Sequence, residues 1–80
     1  MFTKTKRIYE VLAYLTVDTS EPYTRDTSTR KADALRVARG WATKYGRVEV
    51  NALYVSVDDE NDAQGADLVA AWENGTKTTK

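Results

Sequence analysis

Arginine and lysine side chains spaced along residues 29–45, TRKADALRVARGWATKY, are the groups in this chain best placed to do chemistry. Guanidinium and ammonium groups bind carboxylates and phosphates through charge-assisted hydrogen bonds. An exposed glycine among them would let another backbone approach closely. The candidate partner-binding residues are Arg30, Arg36, Val37, Arg39, Gly40 and Lys44, with Val37 and Gly40 predicted at the middle of the outer helix surface.

The composition removes several classes of catalytic chemistry. The 80 residues contain no histidine and no cysteine. Without imidazole or thiol groups there is no Ser-His-Asp or Cys-His arrangement, no thiolate zinc site and no disulfide. Catalysis would have to use carboxylates, lysine, tyrosine or a recruited metal. We therefore expect a non-enzymatic protein with no cofactor.

An acidic connector over residues 58–65, DDENDAQG, is the second candidate region. A calcium loop needs glycine at its sixth position and glutamate at its twelfth, and a loop starting at Asp58 or Asp59 has neither. We expect a solvated loop without a metal, able to contact an arginine cluster on another protein. Its candidate residues are Asp58, Asp59, Glu60 and Asp62.

Charge is segregated along the chain although the net charge is zero. Residues 25–47 carry seven basic and two acidic groups, a balance of +5, and residues 49–73 carry seven acidic and no basic groups, a balance of −7. One interpretation is that the two parts neutralise each other across the small fold. The other is a bipolar surface that steers a partner.

Helical periodicity positions the basic residues. At 100° per residue, one arc of residues 29–45 is apolar and the opposite arc is polar. The apolar arc contains Ala34, Leu35, Ala38, Trp41, Ala42 and Tyr45, and the polar arc contains Asp33, Arg36, Gly40 and Lys44. We expect Ser28 or Thr29 to cap the helix start and Gly46 to end it in a left-handed conformation.

Two strands are predicted before the helix. Residues 7–17 alternate, with Tyr9, Val11, Ala13, Leu15 and Val17 on the core face. On the other face, Leu12 and Tyr14 are either covered by a loop or by sheet curvature, or they form part of a partner surface. Residues 23–27 follow Pro22 and are predicted to form an edge strand.

Two more strands are predicted after the helix. The alternation of residues 47–57 changes phase, which predicts a bulge near Asn51 and Ala52 or a strand that is apolar on both faces. Residues 66–73 predict a strand with Leu68, Ala70 and Trp72 on one face, and a helix is the competing interpretation. Asn74-Gly75 is a turn signal, but only a short polar tail follows it.

These elements predict one α+β domain over residues 1–80. A two-layer ββαββ arrangement would pack three to four antiparallel strands against one amphipathic helix. Residues 1–6 and 76–80 are expected to be loose ends. The lack of cysteine, of a long apolar run and of a signal-type segment favours the cytoplasm over a membrane or secreted location.

The stretches KADALRVARGW and LVAAWENG, within this pattern of strands and helix, resemble small phage-encoded accessory proteins, anti-CRISPR proteins among them. The resemblance implies a viral protein that inhibits a host protein by covering a site on it, and it assigns no functional residue. We expect a protein-binding module that uses the helix face and the adjacent strand edge. The alternative is a small nucleic-acid-binding module, although the net charge of zero and the absence of a recognised motif count against it. A homodimer is compatible with the open sheet edges.

Overall fold

In the described part of the chain, five antiparallel strands form one sheet, and a single helix lies against one of its faces. The computed structural model describes residues 4–59 and 62–79. The strands pair in the order β2-β1-β3-β4-β5. The elements are β1 Thr5–Tyr14, β2 Thr24–Ser28, α1 Lys31–Ala42, β3 Arg47–Ser56, β4 Ala63–Glu73 and β5 Thr76–Lys77. The predicted α+β class is confirmed, but the sheet has five strands rather than three or four.

The additional strand comes from the Asn-Gly turn. Asn74 and Gly75 have φ angles of 50° and 83°. Two consecutive left-handed residues match the right-handed twist of a hairpin and turn the chain back onto itself. β5 then pairs with Trp72 and Glu73. Residues 76–77 of the tail predicted to be loose therefore belong to the sheet, as do residues 5–6 at the other end.

Small residues on α1 bring the helix close to the sheet. Ala34, Ala38 and Ala42 are buried at helical spacing, so one narrow stripe of the helix meets the strands. Leu35 and Trp41 are half-buried beside the stripe, as predicted. Together with these alanines, the buried residues of what we term the first cluster are Val11, Ala13, Val48, Val50, Ala70 and Trp72.

The helix is shorter than the predicted span of residues 29–45. Arg30 is its N-cap residue, with an extended backbone and no side-chain cap bond. The predicted cap by Ser28 or Thr29 is therefore wrong. The Ser28 hydroxyl accepts a hydrogen bond from the Arg30 backbone N–H at 3.1 Å, which fixes the turn leading into the helix.

Gly46 has a different role from the predicted left-handed cap. The glycine with positive φ in the described part of the chain is Gly75. A Cβ added to Gly46 would lie 2.6 Å from Thr16 Cα and 2.9 Å from the Leu15 carbonyl oxygen. Glycine is needed here because two backbone segments approach closely.

Strand β3 is apolar on both faces, which confirms the second of the two interpretations of its changed alternation. It pairs with β1 in one continuous register. Ile8 lies directly opposite Leu53, and both join Val55 in a second buried cluster, on the face of the sheet away from α1. The second cluster consists of Ile8, Leu53 and Val55.

A register shift does lie beside Val50 and Asn51, but it belongs to the pairing of β3 with β4. Val50 pairs with Ala70 and Asn51 with Leu68, so the extra residue is Val69 of β4. The bulge therefore changes the alternation of β4 and leaves that of β3 intact.

Two apolar residues depart from the predicted alternation: Leu15 was predicted on the core face, and Leu68 on the same face as Ala70 and Trp72. Leu68 is 56% exposed because the bulge places it on the face opposite Ala70. Leu15 is also 56% exposed, since β1 ends at Tyr14 and the chain leaves the sheet there. Residues 66–73 lie within strand β4, so the competing helix interpretation is wrong.

Candidate functional site

Exposed cations lie along α1 and at its two ends. We term Arg30, Lys31, Arg36, Arg39 and Lys44 the cationic helix face; all five are exposed. Arg36 forms an ion pair with Asp33 one turn earlier. The other four have no ion-pair partner among residues 4–59 and 62–79. This face therefore presents positive charge that the described part of the fold does not neutralise.

Two uncharged candidates on α1 have different environments. A Cβ added to Gly40 would have no heavy atom within 4 Å, so the helix surface is open at this position. Val37, predicted at the middle of the outer surface, is half-buried and packs against the first cluster. That placement corrects the prediction, because Val37 lies on a flank of the helix rather than at its exposed centre.

Three of the acidic candidates, Asp58, Asp59 and Asp62, lie between β3 and β4, in what we term the acidic turn. The Asp59 N–H donates to the Ser56 carbonyl at 3.2 Å, and the Asp62 N–H donates to the Asp59 carbonyl at 3.1 Å. Asp58, Asp59 and Asp62 are exposed. Glu60 lies outside the described residues. Within the described ranges, no group of three or more acidic side chains is arranged to hold a metal ion.

Among the residues that the structure describes, the two charged segments are joined by little ion pairing. Arg25 pairs with Glu10, and Arg36 pairs with Asp33. In the described part of the chain, the ion pair that joins residues 25–47 to residues 49–73 is Arg47 with Glu49, at 3.9 Å. The distribution favours the bipolar interpretation for the outer side of α1.

Arg47 belongs to a structural cluster that covers Tyr14. Its guanidinium lies 3.8 Å from the centre of the Tyr14 ring and donates to the carbonyls of Val17 and Thr19 at 3.0 and 3.2 Å. The Tyr14 hydroxyl donates to Glu49 at 3.3 Å. Burial raises the pKa of Tyr14, the negative charge of Glu49 raises it further, and Arg47 opposes both effects. Tyr14 is therefore covered, and only half-buried Leu12 remains of the predicted partner surface.

A second arginine–tyrosine contact was not predicted. Arg7 donates to the Tyr54 hydroxyl at 3.0 Å, and its guanidinium carbon lies 5.1 Å from the centre of that ring. The nearby hydroxyl groups of Tyr9 first, and then of Tyr54, raise the pKa of Arg7. Arg7 and Tyr54 are 47 positions apart and meet because they are directly opposed across β1 and β3. No local sequence signal could have predicted this contact, because it depends on the register between β1 and β3.

An aromatic group connects the end of α1 with the start of β2. The rings of Tyr23 and Tyr45 are 5.8 Å apart, and those of Trp41 and Tyr45 are 6.1 Å apart. Tyr23 is 63% exposed. β2 is the first strand of the sheet and pairs with β1, so its outer edge has no strand partner in the described structure. Sequence reasoning identified the edge strand but not the aromatic residues beside it.

Comparisons of this chain with protein-family models, with curated proteins and with solved structures find no match. None of the helices in the described residues has the length and apolar character needed to cross a membrane.

Proposed function

We propose that this chain is a non-enzymatic protein-binding module that uses the cationic helix face to hold an acidic surface of its partner. The observation that carries the proposal is the set of four exposed cations on and beside one helix that have no ion-pair partner among the described residues. Such a surface attracts an oppositely charged partner over a distance and sets its orientation on contact.

The residues of the helix face would have different roles. Arg39 can bind a carboxylate with two parallel hydrogen bonds, since its guanidinium is planar and has no ion-pair partner in the described part of the chain. Arg36 would exchange Asp33 for a carboxylate of the partner. Gly40 leaves room for the partner's backbone, because it has no side chain and open space in front of it. In this arrangement Lys44 contributes a mobile charge at the end of the helix.

The biological setting that we propose is a phage-encoded inhibitor or modulator in the host cytoplasm. It would cover a functional surface of a host protein or complex. The small size of the domain and its resemblance to phage accessory proteins support this setting. The acidic turn, with Asp58, Asp59 and Asp62 exposed, would repel wrongly oriented partners.

Capture of partners with a charge-reversed bait tests the proposal. The full chain would be immobilised and exposed to lysate of the organism that encodes it, or of its host, and bound proteins would be quantified by mass spectrometry. We expect Arg36→Glu plus Lys44→Glu to remove the specific partner. Lys4→Glu plus Lys77→Glu reverses the same number of charges elsewhere and should retain it. Equal capture by both double variants would disprove the role of this face.

The same cations also make nucleic acid the second candidate. Binding to phosphates would weaken steeply as salt increases, because counterions are released on association. Fluorescence anisotropy with labelled single-stranded and double-stranded DNA and RNA, at low and at physiological salt, separates the two functions. Protein binding predicts flat curves for all of these probes, and saturable binding reduced by Arg39→Glu would favour nucleic acid.

A further inference from the structure

We infer that the outer edge of β2, together with the flank of α1 beside it, binds an extended segment of a partner protein as an additional strand. This inference rests on the proposed protein-binding function and names the structural mode of binding. The expected segment is apolar at alternate positions and acidic towards its ends.

The backbone of β2 supplies the first requirement. Its five residues, Thr24–Ser28, pair with β1 on one side. At the edge of a sheet, alternate N–H and C=O groups point outwards and can pair with another extended chain. The pairing of β2 with β1 has no register shift, and the strand contains no proline or lysine. The exposed edge of β4 differs, since register shifts beside Val50 and Tyr54 interrupt its row of backbone groups.

The apolar surface lies on the helix side of that edge. Asp26 and Thr24 pair with Val11 and Ala13, which belong to the first cluster, so the three alternate residues Thr24, Asp26 and Ser28 share the face covered by α1. Val37 and Trp41 are four residues apart and lie on one flank of the helix. The contact of Tyr45 with both Trp41 and Tyr23 shows that this flank faces the start of β2.

An incoming strand would place alternate side chains in this same layer. They would contact the half-buried side chains of Val37 and Trp41 and the ring of Tyr23, which is 63% exposed. Aromatic residues beside a free strand edge provide affinity that depends on side chains, in addition to the backbone pairing. The half-buried state of Val37, which contradicted its predicted place on the outer surface, becomes a functional feature here.

Charge defines the ends of the segment. Arg30 lies directly before α1 and Lys44 lies two residues after its end, so a cation stands at each end of the helix that carries Val37 and Trp41. Neither has an ion-pair partner among the described residues. Acidic residues flanking the apolar positions of the guest segment would neutralise both. Arg25 is excluded from this role, because it is paired with Glu10 on the other face of the sheet.

A random peptide library displayed on yeast provides the probe. After selection against the full chain, enriched peptides would be synthesised and their affinities measured by fluorescence anisotropy. We expect sequences that alternate apolar and polar residues with acidic ends. Tyr23→Ser should weaken their binding by about tenfold, as for the loss of one aromatic anchor. Leu68→Ser removes an apolar side chain of similar exposure from the opposite face, and it should leave binding unchanged.

Amide hydrogen exchange by NMR identifies the mode of binding. With a selected peptide bound, we expect new protection at alternate amides of Thr24–Ser28 and none at residues 63–69 of β4. Peptides without alternation, binding without protection of β2, or protection at β4 would each overturn the inference. Protection of β2 by self-association in the absence of peptide would assign the edge to a second copy and also overturn it. Loss of strand addition, with partner capture still dependent on Arg36 and Lys44, would remove this mode while protein binding remained.

Discussion

The face of the sheet that packs against α1 and the opposite face bury their apolar residues in different ways. The first cluster packs small side chains of the helix, such as Ala38, onto valines of the central strands. The second cluster lies on the opposite face and uses the cross-strand pair of Ile8 and Leu53 together with Val55. One strand, β3, contributes to both clusters, so the helix layer and the opposite face are mechanically connected through it. Both clusters therefore belong to one folding unit, because Val48 and Val55 of the same strand lie in different clusters.

Replacing Arg47, which holds the loop after β1, should have the largest effect on stability. Arg47→Met keeps most of the side-chain volume but removes two hydrogen bonds to loop carbonyls and the contact with Tyr14. We expect the free energy of unfolding to fall by about 3 kcal/mol, measured by urea denaturation. Arg47→Lys should recover only part of this, since an ammonium group lacks the planar fork. A loss below that of an ordinary surface substitution would show that Arg47 does not hold the loop.

Matched valine truncations compare the two clusters directly. Val48 and Val55 lie in the first and second clusters, and each has 0% exposure. We expect Val48→Ala and Val55→Ala each to lower the free energy of unfolding by about 2.5 kcal/mol, through lost burial and a residual cavity. Val57→Ala, at a side chain that is 49% exposed, is the control. If Val55→Ala costs no more than this control, the second cluster does not stabilise the fold.

Alanine substitutions at two glycines should change stability in opposite directions, because Gly46 is tightly packed and Gly40 faces open space. Gly46→Ala forces a Cβ against the backbone of Thr16 and should destabilise by about 2 kcal/mol. Gly40→Ala adds a methyl group in open space within the helix and should stabilise by about 1 kcal/mol. Thermal unfolding followed by circular dichroism would measure both. A gain in stability at Gly46 would contradict the close backbone approach.

The smallest expected effect is a difference in stability at alkaline pH. Burial first, and then the charge of Glu49, raise the pKa of Tyr14, so the fold favours its neutral hydroxyl. This contribution is complete below about pH 10, the ordinary tyrosine value, and is lost as pH rises through the raised pKa. Tyr14→Phe cannot ionise there, so its stability should fall less steeply than that of the parent chain. Urea denaturation from pH 7 to pH 11 would show the difference, and parallel curves would contradict it.

Local periodicity was sufficient to predict most of the elements and the exposed side of α1. The apolar arc that contains Ala34, Ala38 and Ala42 predicted a helix with one buried stripe, and this placed Arg36 and Arg39 outside. Alternation likewise identified the strands, because successive strand residues point to opposite faces. These properties depend on neighbours only a few positions apart, which the sequence displays directly.

Only the tertiary structure decided features that depend on distant neighbours. Leu68 was predicted to share a strand face with Ala70 and Trp72, and the prediction failed because the bulge at Val69 arises only in the pairing of β4 with β3. Gly46 needs its missing side chain because Thr16 passes in front of it, and Tyr23 joins Trp41 because both contact Tyr45. Periodicity records which face a residue takes within its own element. Register and close approach are set between elements, by packing that no single stretch of the chain contains.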